Sequence, residues 1–309
     1  MNPASPVLPI IVSTVVAATP LIYAALGETV VEKAGVLNLG IEGMMLVGAV
    51  AGFAATLASG SATLGFIAAA TAGIALSLIF AFLTLTLQAN QVATGLALTL
   101  FGIGLSAFVG HDLAGTPIPG LKGIEIPVLS TLPVLGQLFF HYDVMIYLSL
   151  VLGGAVYWFL TKSHSGLKLR AVGESPTVAH AIGHPVIFIR YLAVMFGGAT
   201  AGIAGAYLSI VQTPMWVEGM TAGKGWIALA LVVFGTWKPL RVMAGAYLFG
   251  GVTVLQLYAQ GFGLGVPSEF LSMLPYVATV VVLVIICRDP KTILLNQPVS
   301  LGKSFHSDA

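Results

Sequence analysis

Charge is what this sequence has least of. Of 309 residues, 12 are Lys or Arg and 11 are Asp or Glu, which is 7% of the chain against 58% hydrophobic. A soluble domain carries about 25% charged residues. So few charges cannot cover a soluble surface, which excludes a cytosolic enzyme, a nucleic-acid binder and a disordered chain. The net charge of +1 supplies no field for steering polyanions. Cysteine is nearly absent: Cys287 alone permits neither a disulfide framework nor a multi-cysteine metal site. No Lys or Arg precedes the first apolar run, so the N-terminus reads as a span and not as a cleaved signal peptide. What is present is a mean hydropathy of +1.01 and 37 glycines. These describe an integral membrane protein with several helical spans.

The gaps between charges locate the spans. No Asp, Glu, Lys or Arg occurs in 1–27, 43–111, 144–161, 191–217, 242–268 or 270–287. At about 20 residues per crossing, spans fall near 7–27, 41–59, 62–87, 91–110, 143–161, 188–211, 240–260 and 269–287. A ninth apolar stretch, 226–237, is too short to cross alone. The runs lack strict alternation, which argues against a β-barrel. The expected fold is all-α, a single polytopic domain over 1–309 with about nine transmembrane helices (8–10).

If the loops alternate sides, Lys33, Lys162, Lys168, Arg170, Arg190, Lys238, Arg241, Arg288, Lys291 and Lys303 share one side, and only Lys122 and Lys224 lie on the other. The basic side is expected to be cytoplasmic. That places the C-terminus and loop 162–187 inside and loop 111–142 outside.

Two segments differ from ordinary spans. Residues 28–45 set Glu28, Glu32, Lys33 and Glu42 beside apolar residues and add Gly35, Gly40 and Gly43. Asn38 is placed to cap a helix starting near Leu39, with Glu42 as an early acid on the same face. A helix broken at bilayer depth must line a cavity or be buried in protein, and such breaks mark substrate sites in transporters. An elbow helix lying on the membrane is the other open reading. The second segment is 213–237. Its apolar part, Trp226–Trp237, would rise only about 18 Å against a core of about 30 Å. Two half-helices meeting inside the membrane would solve this, and so would a short helix shielded by neighbours. Asn38, Glu42, Trp216 and Glu218 are the candidate pathway residues of the two segments.

The basic loop 162–187 carries a capped motif. Ser175 followed by Pro176 is an N-cap and N1 pair, and Gly183 fits C′ with Pro185 beyond it. The expected helix, Pro176 to Ile182, is too short to hold in isolation and needs a surface to dock on.

The stretches EKAGVLNLGIEGMMLVGA (32–49) and SGLKLRAVGESPTVAHAIG (165–183) resemble permease subunits of bacterial ABC importers. The group is the branched-chain amino acid, ribose and nucleoside permeases, and the first block looks most like the nucleoside, basic-membrane-protein-dependent systems. The resemblance covers roughly residues 10–290. It implies a type II importer fold, and 165–183 looks like the coupling loop that seats a short helix in a cleft of the ATPase. Glu174 and Gly183 match that loop, whereas Ser175-Pro176-Thr177 stands where alanines would follow. The role is therefore carried to the segment, with Gly173, Glu174, Ser175, Pro176, Ala179 and Gly183 as its candidate residues. The resemblance further implies two ATP-binding subunits holding ATP and Mg, a second and homologous permease chain, and a periplasmic or lipoprotein substrate-binding protein.

The chain's own motifs agree. Gly302-Lys303-Ser304 lacks the first glycine of a nucleotide-binding loop, because Gln297 occupies it. His180 and His184 are four apart, but Gly183 and Pro185 interrupt any helix pairing them for a metal. No cofactor is expected in this chain and it is not expected to be an enzyme. An ion-coupled secondary transporter is the alternative; it needs a deep titratable residue, for which only Glu28, Glu32 and Glu42 qualify. A pathway with so few charges suits a neutral, hydrogen-bonding solute such as a nucleoside, or a sugar.

Overall fold

The computed structural model describes residues 7–121, 123–124, 140–261, 267–287 and 296–306. Lys122 and Glu125 of the segment expected outside, and Arg288 and Lys291, lie outside the described residues. Among the described residues there is no strand, and the one β-bridge joins Pro117 to Met215.

Helix α1 runs Val7–Lys33, and Gly35 at φ +83° turns the chain. Helices α2 (Ile41–Ser59), α3 (Ala62–Ala81, prolonged by a π turn Phe82–Thr86) and α4 (Gln91–Gly110) follow. Next come α5 (Val144–Lys162), α6 (His164–Glu174), α7 (Pro176–Ala181) and α8 (Val186–Tyr207, prolonged by a π turn Leu208–Gln212). Helices α9 (Lys224–Phe234), α10 (Pro239–Gly261) and α11 (Ser268–Cys287) complete the described set. Seven of these helices are long and apolar enough to cross a membrane, and two shorter apolar ones, Lys224–Phe234 and Glu269–Val282, bring the set to nine.

Glycine decides how the inner helices meet. A β-carbon at Gly48 of α2 would stand 2.5 Å from the Gly202 carbonyl oxygen of α8, and one at Gly198 would stand 2.5 Å from the Gly73 carbonyl oxygen of α3. At both glycines the helices pack backbone against backbone within the chain. Helix α1 fills the centre, touching α5, α8, α9 and α10. Tyr23 of α1 donates to the Met145 carbonyl (2.8 Å) and Tyr207 of α8 to Asp143 (3.1 Å), which also caps α5 through Met145 N–H at 2.8 Å.

Three details depart from the sequence reading. The first span does not end at residue 27: α1 continues through Glu28 and Glu32 to Lys33, so the interruption is confined to 34–40. The basic loop holds a further helix, α6, capped by Ser163, whose hydroxyl accepts from Gly166 N–H at 2.9 Å. Lys224 does not sit in an outer loop but at the start of α9.

Candidate functional site

The break after α1 and the start of α9 meet at one carboxylate. Glu42 is buried, 5% exposed, in the first turn of α2. Its Oε1 accepts from Thr221 Oγ1 (2.6 Å) and Gly223 N–H (2.9 Å), and its Oε2 accepts from Gly225 N–H (2.6 Å). The carboxylate thus satisfies orphan N–H groups at the α9 N-terminus, where the helix dipole favours negative charge. Gly225 is required: a β-carbon there would stand 2.6 Å from Glu42 Cα.

The spacing follows from lengths. Helix α9 has 11 residues, about 16 Å at 1.5 Å per residue. Beyond its far end, Trp237 Nε1 donates to Glu32 Oε2 at 2.5 Å, next to the basic end of α1. The Glu42 cap is therefore separated from the Trp237–Glu32 bond by one 11-residue helix, about half the span of a core of about 30 Å. The short apolar stretch is a single half-helix; residues 213–223 reach it as turns and not as a second half-helix. Thr236 and Trp237 hold positive φ, +50° and +53°, in the turn that follows. The Trp237–Glu32 bond is one interaction that fixes this strained turn.

The open backbone of 34–40 is satisfied by side chains from two helices. Asn38 N–H donates to Glu28 Oε1 of α1 (3.3 Å), Leu37 N–H to Gln91 Oε1 of α4 (2.8 Å), and Thr99 Oγ1 of α4 to the Leu39 carbonyl (2.9 Å). Asn38 folds over the break, its Oδ1 accepting from Gly40 N–H at 2.9 Å. It does not cap from the position the sequence indicated, since Gly40 is the N-cap and α2 begins at Ile41. Asn38 and Glu42 therefore do not share a helix face. Asn38 is 1% exposed. Among the described residues, Glu28 Oε2, Gln91 Nε2 and Trp216 Nε1 are buried with no hydrogen-bond partner. Trp216 packs on Gly110 at the C-terminal end of α4, apart from Glu42, and Glu218 is exposed.

The α6–α7 hairpin sits at the basic end. Helix α7 starts at Pro176, but Ser175 makes no side-chain cap bond; its hydroxyl meets Thr177 Oγ1 at 3.4 Å. Gly183 ends the turn at φ +88° with open space around it. Ala179 is buried against Val172, Val186 and Phe305, whereas Glu174 is exposed. A junction ties this hairpin to the break. Arg190, 1% exposed, donates from Nε to the Ala34 carbonyl (3.1 Å) and from Nη2 to Ser300 Oγ (3.1 Å), and Ser300 Oγ donates to the Gly173 carbonyl (2.6 Å). Gly302 N–H closes it on the Gly35 carbonyl at 3.3 Å.

Sequence reasoning missed Arg190, Ser300, Thr221 and Gln91. Arg190 was legible as a charge at the edge of an apolar run. The other three are ordinary polar residues with no local signal.

The geometry can be set beside known proteins. A family model described as the permease component of branched-chain amino acid transport systems matches residues 10–286. A protein of Haloferax volcanii provisionally named as a glucose ABC transporter permease, TsgC13, is 41% identical over 96% of this chain and 97% of its own length. The guanosine ABC transporter permease protein NupQ of Bacillus subtilis is 33% identical over 89% of this chain and 90% of its own. The nucleoside ABC transporter permease protein NupC of Lactococcus lactis is 32% identical over 92% and 93%.

Proposed function

The chain belongs to the permease-component family of branched-chain amino acid transport systems, and from that premise we propose that it imports nucleosides through a pathway walled by the segments that meet at Glu42. It is a permease subunit of an ABC transporter, a translocation subunit and not itself an enzyme. ATP-binding subunits and a substrate-binding protein accompany a permease of this family. In our reading these are two ATPases and a periplasmic or lipoprotein binding protein, in an inner membrane with the basic face and C-terminus inside.

The observation that carries the pathway is the junction of two interrupted segments, 34–40 and 213–223, at one buried carboxylate, a half-helix away from the Trp237–Glu32 bond. Non-helical backbone at membrane depth is tolerated only inside protein or beside a cavity. Helices broken there serve substrate in transporters. Asn38 and Glu42 are nearly sealed within the single chain, so in this reading they shape the wall and the solute passes along the chain's surface. A second, homologous permease supplies the opposite wall. Helix α4 is the least buried of the seven long apolar spans and presents Leu100 and Phe108 outward.

The nucleoside assignment rests on two relatives named for guanosine or nucleoside transport. Glucose is the second reading, favoured by the 41% identical relative. Coupling runs from the α6–α7 hairpin through Ser300 and Arg190 to Ala34 and Gly35 at the break. Movement of the hairpin on an ATPase would thereby reach the segment that holds Glu42.

Proteoliposomes holding the permease with its ATPase and binding protein test this reading. Guanosine uptake that needs ATP and stops with vanadate is expected, with glucose uptake much lower. Glucose uptake in preference would select the second reading, and vanadate-insensitive uptake driven by an ion gradient would select the secondary transporter.

A further inference from the structure

Four basic side chains from separate parts of the sequence converge on one cavity. The cavity, of about 440 Å³, opens at the basic end and is lined by Lys33, Arg170, Lys238 and Arg241, with Trp237 and the exposed Tyr157 and Leu240 among its other walls. Among the described residues no carboxylate lines it. Among the described residues none of the four cations forms an ion pair. Arg170 and Lys238 stand close enough to repel Lys33, while Glu174 and Glu32 attract it from outside the lining. Of these two acids, Glu32 is already engaged by Trp237 Nε1. Lys33 Nζ donates to the Asn296 carbonyl at 2.5 Å, and Arg241 Nη1 to Thr236 Oγ1 at 3.1 Å, so two of the four are held in place. The 23-residue helix α10 begins at Pro239 and adds the positive end of its dipole to the same space.

Packing does not account for four like charges at one opening. They repel, and a concave site of one sign concentrates counter-ions. The position selects among anions. Tyr157 of α5 and Leu240 of α10 stand exposed beside the opening, 40% and 57%, on helices whose faces meet hydrocarbon. An occupant therefore has an anionic head among the cations and apolar chains along α5 and α10. Basic pockets between membrane helices on this side are suited to phosphate headgroups.

We propose that this cavity binds the phosphate headgroup of an anionic phospholipid from the leaflet on the basic side. The lipid neutralises Lys33, Arg170, Lys238 and Arg241, and in doing so joins the end of α1, helix α6 and the start of α10. The site lies apart from Glu42 and does not depend on which solute is carried.

The test is native mass spectrometry of the purified permease–ATPase complex, supplied with phosphatidylglycerol or phosphatidylcholine of matched chains. Wild type is expected to retain phosphatidylglycerol and shed phosphatidylcholine. At about fivefold per charge, the pair Lys238→Gln and Arg241→Gln should weaken retention roughly 25-fold and Lys238→Gln alone about fivefold. Lys162→Gln, on the same face but outside the cavity, should leave retention unchanged. Equal retention of the two lipids, undiminished binding in Lys238→Gln, or an equal loss in Lys162→Gln would overturn the proposal. Displacement of the lipid by millimolar inorganic phosphate or glycerol 3-phosphate would also overturn it, by making the occupant a soluble phosphate.

Discussion

The carboxylate of Glu42 and the backbone N–H of Gly225 meet at 2.6 Å across 183 positions of sequence. This contact makes one unit of the second helix and the half-helix α9. With the Thr221 and Gly223 bonds it leaves the carboxylate holding three donors. Glu42→Gln keeps the shape but removes the charge from a helix N-terminus and turns an NH2 group toward other donors. A loss of about 1–2 kcal/mol is expected, seen as a lower midpoint of thermal unfolding in detergent, with reduced uptake at equal expression. Wild-type values of both would show that the charge has no role there.

Asn38 and Gln88 offer a matched comparison. Asn38 bridges the break through Gly40 N–H and Glu28, whereas Gln88 makes a single 3.4 Å bond to the Phe305 carbonyl in a surface turn. Asn38→Leu is expected to reduce uptake several-fold more than Gln88→Leu at equal membrane content. Equal effects would make the break an elbow with no part in transport.

Gly183 sits at φ +88° with nothing within 4 Å of a β-carbon. Gly183→Val therefore meets no clash, and its cost is backbone strain alone, about 1–2 kcal/mol. The protein should insert normally while uptake and substrate-stimulated ATP hydrolysis both fall. Gly183→Asn, which tolerates the left-handed region better, should recover most of the loss. Normal coupling in Gly183→Val would remove the lever role from the hairpin.

Gly48 and Gly104 separate packing from propensity. A β-carbon at Gly48 meets the Gly202 backbone, and one at Gly104 meets nothing within 4 Å. Gly48→Ala should lower the unfolding midpoint clearly, and Gly104→Ala should leave it unchanged or raise it, because alanine is the better helix former. The reverse order would contradict the α2–α8 contact.

Sidedness is tested with single cysteines in a Cys287→Ser background. A cysteine replacing Gly120 is expected to react with an impermeant thiol reagent in intact cells, and one replacing Ser165 to react only after permeabilisation. The opposite pattern would invert the membrane orientation.

Composition and charge spacing determined the class of this protein without any coordinates. A chain with 7% charge cannot be soluble, and its charge-free gaps are the lengths that cross hydrocarbon. Cap residues were legible for the same reason: Pro176 at N1 and Gly183 at positive φ answer to backbone geometry a few residues wide. The flagged segment around Asn38 and Glu42 was legible because carboxylates and glycines are costly in an apolar run. What each residue does there was decided only by tertiary structure. Asn38 does not stand at the cap position, since that position depends on where α1 stops, and α1 runs on through Glu28 and Glu32, which meet Asn38 N–H and Trp237 Nε1. Lys224 was misassigned to an outer loop because nothing local shows that 213–223 descends to meet Glu42. Arg190, Ser300 and Ala34 are joined by contacts spanning more than 100 residues. Spacing along the chain carries period and length, which are local. It carries nothing about which distant donor will fill an open valence, and in a membrane interior that pairing decides where a charge can sit.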